Sequence, residues 1–160
     1  MPANSELAYT LETSRKFLHM FVDDLTPVER LYRACLTANC ADWMVGHLIL
    51  TERMFHKRFG VVSPAVPEGF EQVFARDEIA PQSASYGETA HLMALFDEQR
   101  NVTIEAVRGM TDEQLAKPLE TPHRMFTTLG EAASFCAMHV IVHAGQISMT
   151  RRVMGKPPII

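Results

Sequence analysis

Apolar residues recur at intervals of three and four along four separate stretches of the 160-residue chain, and that period constrains its fold more than any other feature. The first stretch carries Leu7, Leu11, Phe17, Leu18, Phe21 and Val22; the second carries Met44, His47, Leu48, Thr51, Met54 and Phe55. The third holds Leu92, Leu95, Phe96, Val102, Ala106 and Val107, and the fourth Ala132, Cys136, His139, Val140, His143, Ile147, Thr150 and Met154. No comparable alternating strand pattern appears. The spacing predicts an all-α chain with four main helices over residues 5–24, 40–59, 86–110 and 128–154.

Local start and stop signals agree with that division. Four segments have the form S/T-x-x-E/Q, in which the first side chain caps an orphan amide and the acid or amide reaches back: Thr26 to Glu29, Ser85 to Glu88, Thr111 to Gln114 and Thr128 to Glu131. Asn39 is a candidate cap for the second helix. Gly60 and Gly155 mark the ends of the second and fourth; Arg151, Arg152 and Lys156 supply cations near the negative end of the last, the two arginines being read as solvated. Glu131 is read as a capping charge and Glu52 as a surface charge.

The connection 60–84 is long and carries Pro64, Pro67 and Pro81, with a turn of helix expected around "PEGFEQVFARD". If the helices it joins run parallel, it must travel back along a helix; the alternative reason for such a loop is a lid. Repeats and low-complexity segments are absent, so residues 1–160 are read as one domain.

Charge and composition exclude several classes of function. The chain has 15 basic and 19 acidic residues, interspersed, so no basic face offers itself to nucleic acid. The opening "MPANSELAYTLETSRKF" lacks the charged and apolar regions of a secretory signal, and no uninterrupted apolar run approaches the ~20 residues of a membrane span. These features predict a cytoplasmic protein. Cys35, Cys40 and Cys136 are odd in number and form no C-x-x-C pair, which argues against a disulfide framework and a zinc ribbon; they are read as small core residues, with Cys136, one turn before His139, the alternative of a fourth metal ligand.

His139 and His143 stand four positions apart in the otherwise apolar run "FCAMHVIVHAGQIS". On a helix they project side by side and can converge on one ion, although seven histidines placed at random in 160 positions give some pair at this spacing in about one chain in four. A metal site needs a further ligand on a neighbouring helix. His47, in "DWMVGHLILTERMF", is the other histidine inside a strongly apolar helical stripe, and Gly46 beside it allows a close approach by backbone or ligand. His56, His91, His19 and His123 read as surface or boundary residues, with His19 and His91 the candidate exceptions.

Two motifs carry a resemblance to a known family. "ANCADWMVGHLILTERMF" resembles the second-helix segment of the DinB-like helical bundles, and "LGEAASFCAMHVIVHAGQISMTRRVMGKPP" resembles their last helix, with H-x-x-x-H followed by Gly-Gln, an Arg pair, Gly and prolines. The resemblance implies a four-helix bundle in up-down-down-up order with a long crossover between the second and third helices. It implies that His47, His139 and His143 are metal ligands. It also implies a metal-dependent enzyme of the hydrolase or thiol S-transferase type acting on a small molecule, with a low-molecular-weight thiol as a candidate co-substrate and a homodimer as the assembly.

Three neutral imidazoles leave a divalent cation with its full charge and open positions, where it can activate water or a thiol or polarise a carbonyl. Zinc is the first expectation, while nickel, iron and manganese also suit imidazole donors. Val140 stands where an H-E-x-x-H protease would carry its glutamate, so this helix brings no general base of its own. Gln146, three positions after His143, is either a donor supporting the site or a packing residue, and Trp43 either lines the pocket or belongs to the core. Against the enzyme stand two other readings: a metal-bearing bundle that binds a ligand or partner without turnover, and a structural metal or dry histidine cluster.

Overall fold

The computed structural model describes residues 2–74, Tyr86 and residues 90–160. α1 (Ala3–Val22) is followed by the single turn α2 (Pro27–Arg30), and α3 (Ala41–Phe59) by the single turn α4 (Phe70–Val73). α5 (Ala90–Arg108) leads through the single turn α6 (Asp112–Leu115) and the strands β1 (Pro118–His123) and β2 (Phe126–Thr128) into α7 (Leu129–Val153). The expected turn of helix in the long connection is α4.

Three of the four capping boxes form with both reciprocal bonds, at Thr26, Thr111 and Thr128. The first two open helices of four residues and the third opens one of 25, because a cap stabilises a helix end by only about 1 kcal/mol while length is set by buried surface. The box at Ser85 lies outside the described residues. The cap of α3 is Cys40 rather than Asn39, and it makes no side-chain capping bond. Gly60 (φ 72°) and Gly155 (φ 82°) take the left-handed conformation that ends α3 and α7. After α7, the Lys156 N–H donates to the Arg151 carbonyl and the Gly155 N–H to that of Arg152.

The hairpin is an addition to the all-helical expectation. β1 pairs antiparallel with β2, yet its sequence PLETPH does not alternate and contributes no buried side chain; Phe126 of β2 is the one ring the hairpin buries. A strand held by its turn and by one anchor leaves no period in the sequence.

α1 packs against α5 and α7, and α3 against the same two helices. Two apolar clusters divide the core along its length. Following α1 leads from Ala8 and Leu11 in one cluster to Leu18 and Val22 in the other, and α7 runs the same way, from Ala132 and Cys136 to Val140 and Ile147. α3 and α5 run the opposite way, from Met44 and Leu92 to Phe55 and Ile104. The link between α3 and α5 therefore has to return the length of α3, about 28 Å for 19 residues. α7 is long and apolar enough to cross a membrane by length and composition, and here its alanine-rich face forms part of both clusters.

Where the clusters meet lies a buried polar layer that corrects two expectations. Glu52, expected at the surface, is 1% exposed. It accepts from Arg100 Nη2 at 2.5 Å, from Thr103 Oγ1 at 2.5 Å and from Cys136 Sγ at 3.2 Å. His56, also expected at the surface or boundary, is fully buried. Its Nε2 donates to the Gln99 carbonyl and to Thr103 Oγ1, both at 3.0 Å, and its Nδ1 accepts from Ser63 Oγ at 2.9 Å. That pattern fits the neutral ring, as does burial, which pushes its pKa down. Arg151 departs from expectation as well: it is buried, donating to the Phe21 carbonyl at 3.1 Å and pairing with Asp24, whereas Arg152 is exposed.

Candidate metal centre

α3 and α7 pack antiparallel, and their facing stripes bring three imidazoles together. His47 comes from α3; His139 and His143 come from successive turns of α7. Ring centroids are 5.2 Å apart for His47 and His139, 5.2 Å for His47 and His143, and 4.7 Å for His139 and His143, all edge to face. One ring nitrogen from each lies within 4.8 Å of the other two, so the group could hold a metal ion. The Nε2 atoms of His139 and His143 stand 3.1 Å apart. Two ligands each 2.0–2.1 Å from one tetrahedral ion would sit about 3.3 Å apart, so this spacing suits a shared ion.

Each imidazole has its own positioning contact. Trp43 stacks on His47 with centroids 5.2 Å apart and planes 5° apart. Phe135, one turn before His139 on α7, lies nearly parallel to that ring at 6.1 Å. His143 Nδ1 donates to Gln146 Oε1 at 2.8 Å, which fixes the tautomer whose Nε2 lone pair turns toward His139. Burial pushes the His143 pKa down, with the Gln146 bond opposing, so the ring stays neutral as a ligand must. All three rings are half-buried rather than enclosed.

The three-histidine group stands between two cavities. His47 and His139 line one of ≈ 280 Å³ bounded by α3, the hairpin and the start of α7. His143, Gln146 and Trp43 line a second of ≈ 330 Å³ toward Thr37 and Asn39. The closest approach foreseen at Gly46 is made by an aromatic side chain: a Cβ there would lie 2.2 Å from the Phe74 ring, which also lines the first cavity.

The remaining candidates are placed elsewhere. Cys136 is buried against Glu52, which together with burial raises its thiol well above the usual range, and it is outside the convergent group. Val140 faces the core. His19 bridges Asp23 at 2.9 Å and Asp97 at 3.0 Å; burial alone would lower its pKa, but the two carboxylates outweigh it and hold the ring above its ordinary value. His91 is exposed at the start of α5. His123 ends β1, stacks on Phe126 at 4.6 Å and lines the first cavity without joining the three.

Sequence reasoning missed the wall of that cavity. Phe135 carried a signal, sitting four positions before His139, the spacing at which helical side chains meet. Phe126, His123 and Arg124 carried none, because the hairpin that delivers them was not legible.

A family model of the DinB superfamily matches residues 10–147, a span that contains all three histidines. No curated protein matches the chain. Among solved structures, YfiT from Bacillus subtilis, described as a probable metal-dependent hydrolase with an unusual four-helix bundle topology, is similar with a TM-score of 0.70. The likeness covers 96% of this chain and 89% of that one at 18% identity, and it speaks for a common bundle fold.

Proposed function

The chain belongs to the DinB superfamily, and from that premise we propose that it is a metal-dependent enzyme acting on a small molecule, with His47, His139 and His143 holding one divalent cation. The observation that carries the proposal is the convergence of one nitrogen from each ring within 4.8 Å, across two helices whose sequence positions are some 90 residues apart. Trp43, Phe135 and Gln146 support it, since each restrains one ring in a ligating orientation.

A bound divalent cation supplies Lewis-acid activation of water or a thiol, or polarises a carbonyl. The chain contributes a largely apolar cavity that positions substrate beside the imidazoles. Hydrolysis is the first reaction class, supported by the description of YfiT, and thiol S-transfer with a low-molecular-weight thiol is the second. Zinc is the first candidate metal because the donors are all imidazole, with nickel, iron and manganese next. The three free cysteines fit a reducing, cytoplasmic setting.

One observation favours a second reading, a metal-bearing bundle that binds its ligand without turnover. The lining of the first cavity includes no Asp or Glu among the described residues, so no carboxylate base faces that side of the site. Ester, amide and thiol-transfer panels run with metal-replete protein separate the two: turnover that disappears on chelation and returns with metal supports the enzyme, and binding without turnover supports the second reading.

Self-association is part of the proposal. Met138, Val142, Met149 and Val153 form an exposed apolar stripe along α7 at helical spacing, the surface we assign to a homodimer. Sedimentation velocity on the wild type and Val142→Glu tests it, with a dimer expected for the first and a monomer for the second.

A further inference from the structure

The cavity beside His47 and His139 carries a chemical preference of its own. Its lining combines apolar and aromatic side chains, among them Leu50, Phe55, Phe126 and Phe135, with two arginines, Arg58 and Arg124. Three other arginines of the bundle are paired with acids, Arg100 with Glu52, Arg108 with Glu12 and Glu105, and Arg151 with Asp24, while Arg15 and Arg53 donate to Asn101 and to the Pro64 carbonyl. Arg58 and Arg124 have no acidic partner among the described residues, on a chain whose net charge is -4.

Arg58 is also held in place. Its guanidinium carbon lies 5.5 Å from the centroid of Phe126 and 5.9 Å from that of Phe55, and its Nη1 donates to the Met54 carbonyl at 3.1 Å. That bond leaves the Nε and Nη2 edge, the fork that matches the two oxygens of a carboxylate. A guanidinium fixed by two rings loses little freedom when it takes an anion.

We infer that this cavity takes a small carboxylic acid with an apolar, aromatic-sized body, its carboxylate on Arg58 with Arg124 assisting and its body between Phe55, Phe126 and Phe135, so that its far end lies beside His47 and His139. The volume of ≈ 280 Å³ limits the ligand to less than drug size. The inference rests on the reading of this cavity as the substrate side of the metal centre and names the substrate class for it.

The test compares 3-phenylpropionate, 3-phenylpropanol and 3-phenylpropylamine by calorimetry, each with metal-replete and with chelator-stripped protein. The acid is expected to bind at least about tenfold more tightly than the alcohol, the worth of one charge-assisted contact, and the amine most weakly. That preference is expected to survive metal removal and to shrink to within about twofold in Arg58→Met, with Arg58→Lys in between because it keeps the charge and loses the fork. Equal affinity for acid and alcohol in wild type, or an acid preference unchanged in a folded Arg58→Met/Arg124→Met double variant, overturns the inference. A preference that vanishes with the metal and persists in the arginine variants also overturns it, by assigning the carboxylate to the ion, and it does so with the metal reading intact. Failure of that reading is seen separately, in the metal content of His47→Ala. Thermal melts of each variant establish that it is folded.

Discussion

Gln146 accepts the Nδ1 hydrogen of His143 at 2.8 Å, so the ring presents a bare Nε2 on the side where His139 lies. A ligating imidazole is oriented by the partner of its other nitrogen, and losing such a partner costs about 10–100-fold in metal affinity. Gln146→Leu is therefore expected to weaken zinc binding by that factor in a competition titration against a chromophoric chelator. Because Gln146 is exposed, the melting temperature of the metal-free protein should stay within a degree or two of wild type. Unchanged affinity would reduce Gln146 to a surface residue.

Gly46 is where the Phe74 ring presses against α3, and a Cβ there would stand 2.2 Å from it. Gly46→Ala gains helix propensity of about 1 kcal/mol but forces the buried ring away, at a cost of about 1–3 kcal/mol or more. Urea unfolding is expected to find the variant destabilised, and the added mutation Phe74→Ala should recover part of the loss by removing the clash. Stabilisation by Gly46→Ala alone would mean the ring does not pack there.

The Glu52 and Arg100 pair is buried on both sides. Glu52→Ala leaves the Arg100 charge without its carboxylate and is expected to cost about 3–5 kcal/mol in chemical denaturation. Replacing both residues by Met should be far less costly than the single change, because the desolvated charge is then gone. Equal losses for the single and double variants would contradict this account of the polar layer.

Asp42 is buried in the first turn of α3, and neither carboxylate oxygen has a hydrogen-bond partner. Burial raises its pKa from 3.8 to about 6, which the charge of Arg30 only partly offsets. A carboxyl group whose folded pKa is raised costs stability once it must ionise, so the penalty is absent below about pH 4, grows through about pH 6 and is complete above it. Asp42→Asn should accordingly be more stable than wild type at pH 7.5, by about 3 kcal/mol at most, with the gap closing by pH 4. A gap that is constant with pH would assign the effect to packing instead.

The long helices and the histidine triad were legible because both express the helical period, and His47 stood out as a titratable residue on an apolar stripe. The same signal was present at Glu52 and Arg100, each about one turn from buried apolar residues, Leu48 and Phe55 in one case and Phe96 and Ile104 in the other. Charge outweighed position in reading Glu52 as surface. His56 was misread through its charged neighbours Lys57 and Arg58: Lys57 is exposed and Arg58 half-buried over Phe55 and Phe126, while the His56 ring turns into the core. The hairpin was illegible for a different reason: its prolines and exposed residues follow no burial period, and Phe126 gains meaning only where β2 sets it against Phe55 and Phe135.

The central claim is that His47, His139 and His143 hold one divalent cation together. Elemental analysis of metal-reconstituted wild type, His47→Ala, His143→Ala and His123→Ala tests it most directly, since His123 lines the same cavity without joining the three. One equivalent of metal per chain is expected for the wild type and for His123→Ala, and a loss to well below a tenth of an equivalent after dialysis for the other two. Background metal in the wild type, or full occupancy in a folded His47→Ala, would contradict the account.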